Sequence, residues 1–183
     1  MKIPCTSCAL DLVQTIRPGE PSEMAFTGAG TYTEPTEAAL AATLETKAHP
    51  VAAKGLTVTL ALETLVLKEI IVRLNNQTNS PNYDVCGTNG VAVPIVTDQD
   101  PTVELLAVLP AFATANYFSD FTLETMLAFS AAIGTVAGNI CTITGDLYLI
   151  NYELVNVDGV SCIRLTGEHS WAAADTKLTW AFT

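Results

Sequence analysis

Charge is scarce in this chain, and positive charge is scarcer still. Charged residues fill 15% of its 183 positions, and 8 Lys and Arg stand against 19 Asp and Glu, a net charge of −11. Soluble domains average about 25% charged residues. With 49% apolar residues, either the core is large or other copies cover part of the surface. The cations are scattered singly, and an acidic surface repels phosphate. That excludes an ordinary nucleic-acid-binding module. No window approaches ~18 uninterrupted apolar residues, so no transmembrane helix is expected. The start, MKIPCTSCALDLVQTIRPG, lacks the apolar run and small-residue cleavage site of a secretory leader.

Groups that could carry chemistry are also few. The only histidines are His49 and His169, so any Ser-His-Asp or Cys-His arrangement depends on one of them. His169 lies in GEHSW between Glu168 and Ser170, where a general base and a plain rim histidine are the alternatives. There are five cysteines, Cys5, Cys8, Cys86, Cys141 and Cys162. An odd count argues against a closed disulfide framework, so all five thiols are expected free. Cys5-x-x-Cys8 has the spacing of half a zinc site, but no second pair completes four ligands. Asp98 and Asp100 in TDQDPT have calcium-like spacing without the Gly and Glu that follow in a calcium loop, and a solvated turn is the simpler reading. GTVAGN lacks the lysine of a phosphate loop, and neither GxGxxG nor HExxH occurs. No catalytic residue, cofactor or metal site is expected. Tyr148, Tyr152, Trp171 and Trp180 could make a sugar platform, but their strand spacing suits core or intersubunit packing better.

What the chain does have is alternation. Leu56, Val58, Leu60 and Leu62 alternate with smaller residues, as do Tyr148, Ile150, Tyr152 and Leu154, and Leu178, Trp180 and Phe182. Period two predicts strands with one buried face. Asp158-Gly159 predicts a hairpin whose two turn residues tolerate positive φ. Leu65–Leu74 reads as a further strand, with a helix over Glu63–Arg73 as the alternative because short apolar runs are ambiguous; Val91–Val96, Val103–Leu109 and Asn139–Thr144 add others. Glu23–Thr33 reads as a strand pair broken at Gly28-Ala29-Gly30. Residues 111–121 suit a helix or crossover, and Leu123, Leu127, Phe129, Ala131 and Ile133 share one face.

Prolines 4, 18 and 21 make residues 1–22 an expected N-terminal arm. Residues 23–183 form one expected domain, with a long loop or helical insertion near 34–50. The fold class is mainly β: an antiparallel β-sandwich or barrel-like sheet with one flanking helix.

Several motifs occur in an order that resembles the tail tube proteins of long-tailed bacteriophages. LKEIIVRLNNQ and a polar loop precede GVAVPIVTDQDPTVELLAVLP. Gly134, Thr135, Gly138 and Asn139 turn into a strand, and Asp158, Gly159 and Val160 turn into the next. Asp175, Thr176, Lys177, Leu178, Trp180 and Phe182 match a closing segment. The resemblance spans residues 65–183; residues 1–50 match nothing in it, and the CxxC pair is foreign to it. It implies a virion structural protein rather than an enzyme. Its copies would form stacked hexameric rings, a hollow conduit that DNA passes through without specific binding, joined to other tail proteins. Assembly in the host cytoplasm and a place in the virion tail follow, with no membrane partner. Acidic groups such as Glu153, opposite the Tyr148–Tyr152 row, would be candidates for the inner wall. A tail terminator or baseplate ring protein, or a β-sandwich capsid decoration or surface-binding module, stands as the alternative.

Overall fold

The computed structural model describes residues 5–32, 55–79, 82–83, 91–111, 113–135, 140–169 and 178–182. The helical insertion expected near 34–50 and the CxxC side chains lie outside what it describes, as do His49, Cys86 and Trp171.

Among the described residues the chain forms a ten-stranded antiparallel sheet, two further two-stranded pairs and one short helix, a mainly β architecture. Strands β1 (Cys5–Ile16) and β2 (Glu23–Tyr32) form the first hairpin. Then come β3 (Thr57–Leu60), β4 (Glu63–Leu65) and β5 (Leu67–Arg73). Short strands β6 (Asn76–Asn79), β7 (Asn82–Tyr83), β8 (Val91–Ala92) and β9 (Ile95–Gln99) lead to β10 (Thr102–Val108). Helix α1 (Tyr117–Thr122) precedes β11 (Met126–Ile133), β12 (Cys141–Val157), β13 (Val160–His169) and β14 (Thr179–Phe182).

The sheet runs β2-β1-β5-β10-β13-β12-β11-β3-β4. Only Val66 separates β4 from β5, so the path leaving β5 returns to within one residue of it. This closure is the barrel-like element. β12 is shared between two lobes: its first half pairs with β11 and β14, its second with β13. Side chains of both lobes meet in one core, with Ile70, Val103, Leu105 and Leu165 from one and Val58, Leu60, Phe129 and Ile143 from the other. Each such burial contributes roughly 1.5–3 kcal/mol. The lobes are also bolted by a polar group. Gln14 is 1% exposed; its Nε2 donates to Ser22 Oγ at 3.0 Å and its Oε1 accepts from Trp180 Nε1 at 2.9 Å.

Several expectations are met. Asp158 and Gly159 both have positive φ in the β12–β13 turn, and Gly159 N donates to Asn156 Oδ1 at 3.0 Å. Leu127, Phe129 and Ala131 are buried on one face of β11.

Others need correction. The expected arm contains a strand of the main sheet: β1 lies between β2 and β5, and its Ile16 is fully buried. Pro18 and Pro21 fall after that strand instead of breaking it. β2 is unbroken through Gly28, because that glycine is a close approach, not a turn: a Cβ there would run into the Ala9 carbonyl. The strand expected through Leu62 ends at Leu60. Ala61 and Leu62 both adopt positive φ in a tight turn that carries none of the usual Asn, Asp or Gly.

The row Tyr148, Ile150, Tyr152, Leu154 does not share one buried face. A bulge at Ile150 interrupts the β12–β13 register between Leu149 and Asn151. Before it Leu147 and Leu149 face the core; after it Tyr152 does. One extra residue inverts the phase of everything beyond it. Phe182 continues the Leu178–Trp180 face but is 69% exposed, having run past the edge of the core.

Candidate assembly surface

Two ribbons project from the body. β1 pairs with β5 only through Val13–Ile16, so Cys5–Leu12 and their β2 partners extend beyond it. Beside them β5 and β10 continue as the pair β6–β9. A polar joint sets this second ribbon. Asn75 has φ 50°, a left-handed conformation that Asn tolerates. Its Nδ2 donates to the Asp100 carbonyl at 2.8 Å and Thr102 Oγ1 at 3.1 Å. Asn76 ties the two ribbons together: its N donates to Asp11 Oδ1 at 3.1 Å and its Nδ2 to the Leu10 carbonyl at 2.7 Å.

The ribbons expose apolar side chains, namely Leu10, Phe26, Ile95 and Val96. β2 is an outer edge, ten residues long, with Glu23 its only charge. A long edge with one charge offers a row of backbone donors and acceptors to another chain, which isolated proteins avoid. β14 is uncharged, pairs only with β12 among the described strands, and exposes Phe182.

All three arginines are paired internally. Arg17 reaches Glu69 at 2.6 Å, Arg73 pairs with Glu104, and Arg164 reaches Glu153 at 3.0 Å. Glu69 holds the Arg17 pKa above its ordinary value, first through their hydrogen bond. Glu153, the inner-wall candidate, is thus half of an exposed ion pair. Residues 74–163 contain no Lys, Arg or His at all. The acid excess is therefore displayed, not neutralised.

Among the described residues the candidate chemical groups do not converge. His169 is buried, its Nδ1 at 3.0 Å from the Asp146 carbonyl and its backbone N donating to the Pro101 carbonyl at 3.0 Å. Asp98 Oδ1 accepts from its own neighbour, Gln99 N, at 2.9 Å. Among the described residues no three His, Cys, Asp or Glu are placed to hold a metal. Cys141 and Cys162 are free thiols, and burial pushes the Cys141 thiol upward. The aromatics divide: Trp180 bonds Gln14, while Tyr152 meets Phe118 edge-on at 5.5 Å. Among the described residues no helix is long and apolar enough to cross a membrane.

One feature had no sequence signal: a groove of about 260 Å³ beneath α1, lined by residues such as Leu109, Phe118, Tyr152, Leu154 and Ile163. Tyr117 forms one wall and donates its hydroxyl to the Leu60 carbonyl at 3.3 Å. Burial, then Glu63, then Asp120 raise its pKa to about 12. Searches against protein-family models and curated proteins return no family model and no curated protein that matches this chain.

Proposed function

We propose that this chain is a tail tube subunit of a long-tailed bacteriophage, self-assembling into stacked rings around a conduit for DNA in the virion tail. The motif order of residues 65–183 suggests it. The observation that carries it is the long β2 edge, which pairs with no described strand but β1 and holds a single charge, in two adjoining ribbons with exposed apolar side chains. In a closed ring such edges become joints between copies. An acidic lining would let DNA slide without gripping it. Apolar burial, roughly 25 cal/mol per Å², supplies the drive. Repulsion between acidic copies opposes it, and salt screens that repulsion over ~8 Å at physiological ionic strength.

The test is sedimentation and negative-stain imaging of the purified full-length chain over a salt series. Rings or filaments are expected, and rising salt should favour them or leave them intact. A chain that stays monomeric at high concentration and every salt tested would sink this reading and favour a surface-binding module.

A further inference from the structure

The groove beneath α1 points to a different kind of partner. Its rim is apolar and open: Phe118 is 55% exposed and Leu154 61%. Leu123, just after the helix, and Leu62, in the β3–β4 turn, are exposed as well. Helix and turn are held together, since Tyr117 bonds the Leu60 carbonyl. Small-molecule pockets run about 300–1,000 Å³. At about 260 Å³, this one suits a single large side chain better than a free ligand.

Among the described residues, the unpaired charges flanking it are acidic. Asp120 lies on α1, Glu124 in the turn after it and Glu63 at the start of β4. Arg164 follows the lining residue Ile163, but successive strand residues point to opposite faces, and it is paired with Glu153. Lys68 follows the buried Leu67 and faces outward by the same alternation.

We infer that this groove docks a basic segment of a different protein, one apolar anchor side chain flanked by Lys or Arg. The anchor fills the groove between Phe118 and Leu154, and the flanking cations meet Asp120, Glu124 and Glu63. A second copy fits poorly. Its exposed anchors, Phe26 and Phe182, sit in strands without a single cation, its arginines are already paired, and Lys68, its one described lysine, sits in β5, which holds neither anchor. Nucleic acid is repelled by the same carboxylates.

The probe is a fluorescein-labelled peptide with one Trp between two Lys-Arg pairs, titrated with the full chain by anisotropy. Two controls replace the Trp by Ala or the four cations by Glu. The Trp peptide should bind, with both controls about tenfold weaker or more, the scale of a lost interface anchor. Its affinity should fall as salt rises, the opposite sign from self-assembly, so the two ideas fail separately. Phe118→Ala with Leu154→Ser should weaken it about tenfold, and Asp120→Asn with Glu124→Gln should flatten the salt dependence. No binding, equal binding of the Ala control, or indifference to the groove variant overturns the proposal. So does loss of self-association in the Leu154→Ser chain, which would make the occupant a second copy.

Discussion

β9 and β10 are neighbours in one hairpin arm, joined through Asp100 and Pro101, yet they live in different surroundings. In β10 every second residue is buried, with Val103, Leu105 and Ala107 almost without solvent contact. In β9 Ile95 and Val96 are both exposed. The residue types are alike; what differs is the layer beneath. β10 lies over the second lobe, and β9 has left it. Apolar content in a strand therefore reports burial only where another layer faces it. Where none does, it marks surface waiting for a partner.

The strongest way to break this contrast is to remove residues 1–22. If they were a detachable ribbon, the subunit would fold without them. Here β1 contributes Ile16 to the core, Gln14 to the bolt between lobes, and the pairing with β5. Total stabilities are only about 5–15 kcal/mol, so the truncated chain should lose cooperative unfolding altogether. A sharp denaturant transition with native-like Trp180 fluorescence would show that β1 belongs with the ribbons, not the body.

A matched pair of substitutions sharpens the contrast next. Leu105→Ala in β10 should cost ~2–5 kcal/mol, the range for emptying a buried leucine site. Ile95→Ser in β9 should stay within about ±0.5 kcal/mol in the monomer while weakening self-association. Urea midpoints and sedimentation at fixed concentration read the two effects. A destabilisation of similar size at both positions would mean that the ribbon packs like core.

How much of this was legible in the sequence follows the same line. Period two found β3, and the strand patterns at Leu65–Leu74 and Val103–Leu109 found β5 and β10, because each lies over the opposite lobe. Asp158-Gly159 announced its hairpin because few residues tolerate that backbone. The turn at Ala61-Leu62 was illegible: tertiary contacts, including the bond from Ala61 N to the Ala128 carbonyl at 2.9 Å, impose a conformation the residues do not prefer. The bulge at Ile150 was illegible for a related reason. Nothing local marks the point where one strand passes from partner β11 to partner β13. The groove under α1 joins the segment after β10 with residues of α1, β12 and β13, which only the fold assembles. The exposed edge β2 was hidden because Gly28 reads as a turn until Ala9 is seen pressing on it.

The smallest effect tests the boundary itself. Phe182 shares its face with Leu178 and Trp180, and alternation alone assigns all three to the core. Leu178 is buried and Trp180 half-buried, but the face outruns the core before Phe182. Filling a core site with Phe and then truncating it costs ~3–5 kcal/mol. For this exposed phenylalanine, Phe182→Ala should shift the unfolding free energy by no more than about 0.5 kcal/mol. Its consequence should appear instead in association, because an exposed phenyl ring on an uncharged terminal strand is apolar area a neighbouring copy can bury. Chemical denaturation at low concentration isolates the first quantity, and sedimentation at high concentration the second. A loss of several kcal/mol in the dilute monomer would place Phe182 in the core, and the boundary between body and surface would then lie one residue pair further along β14.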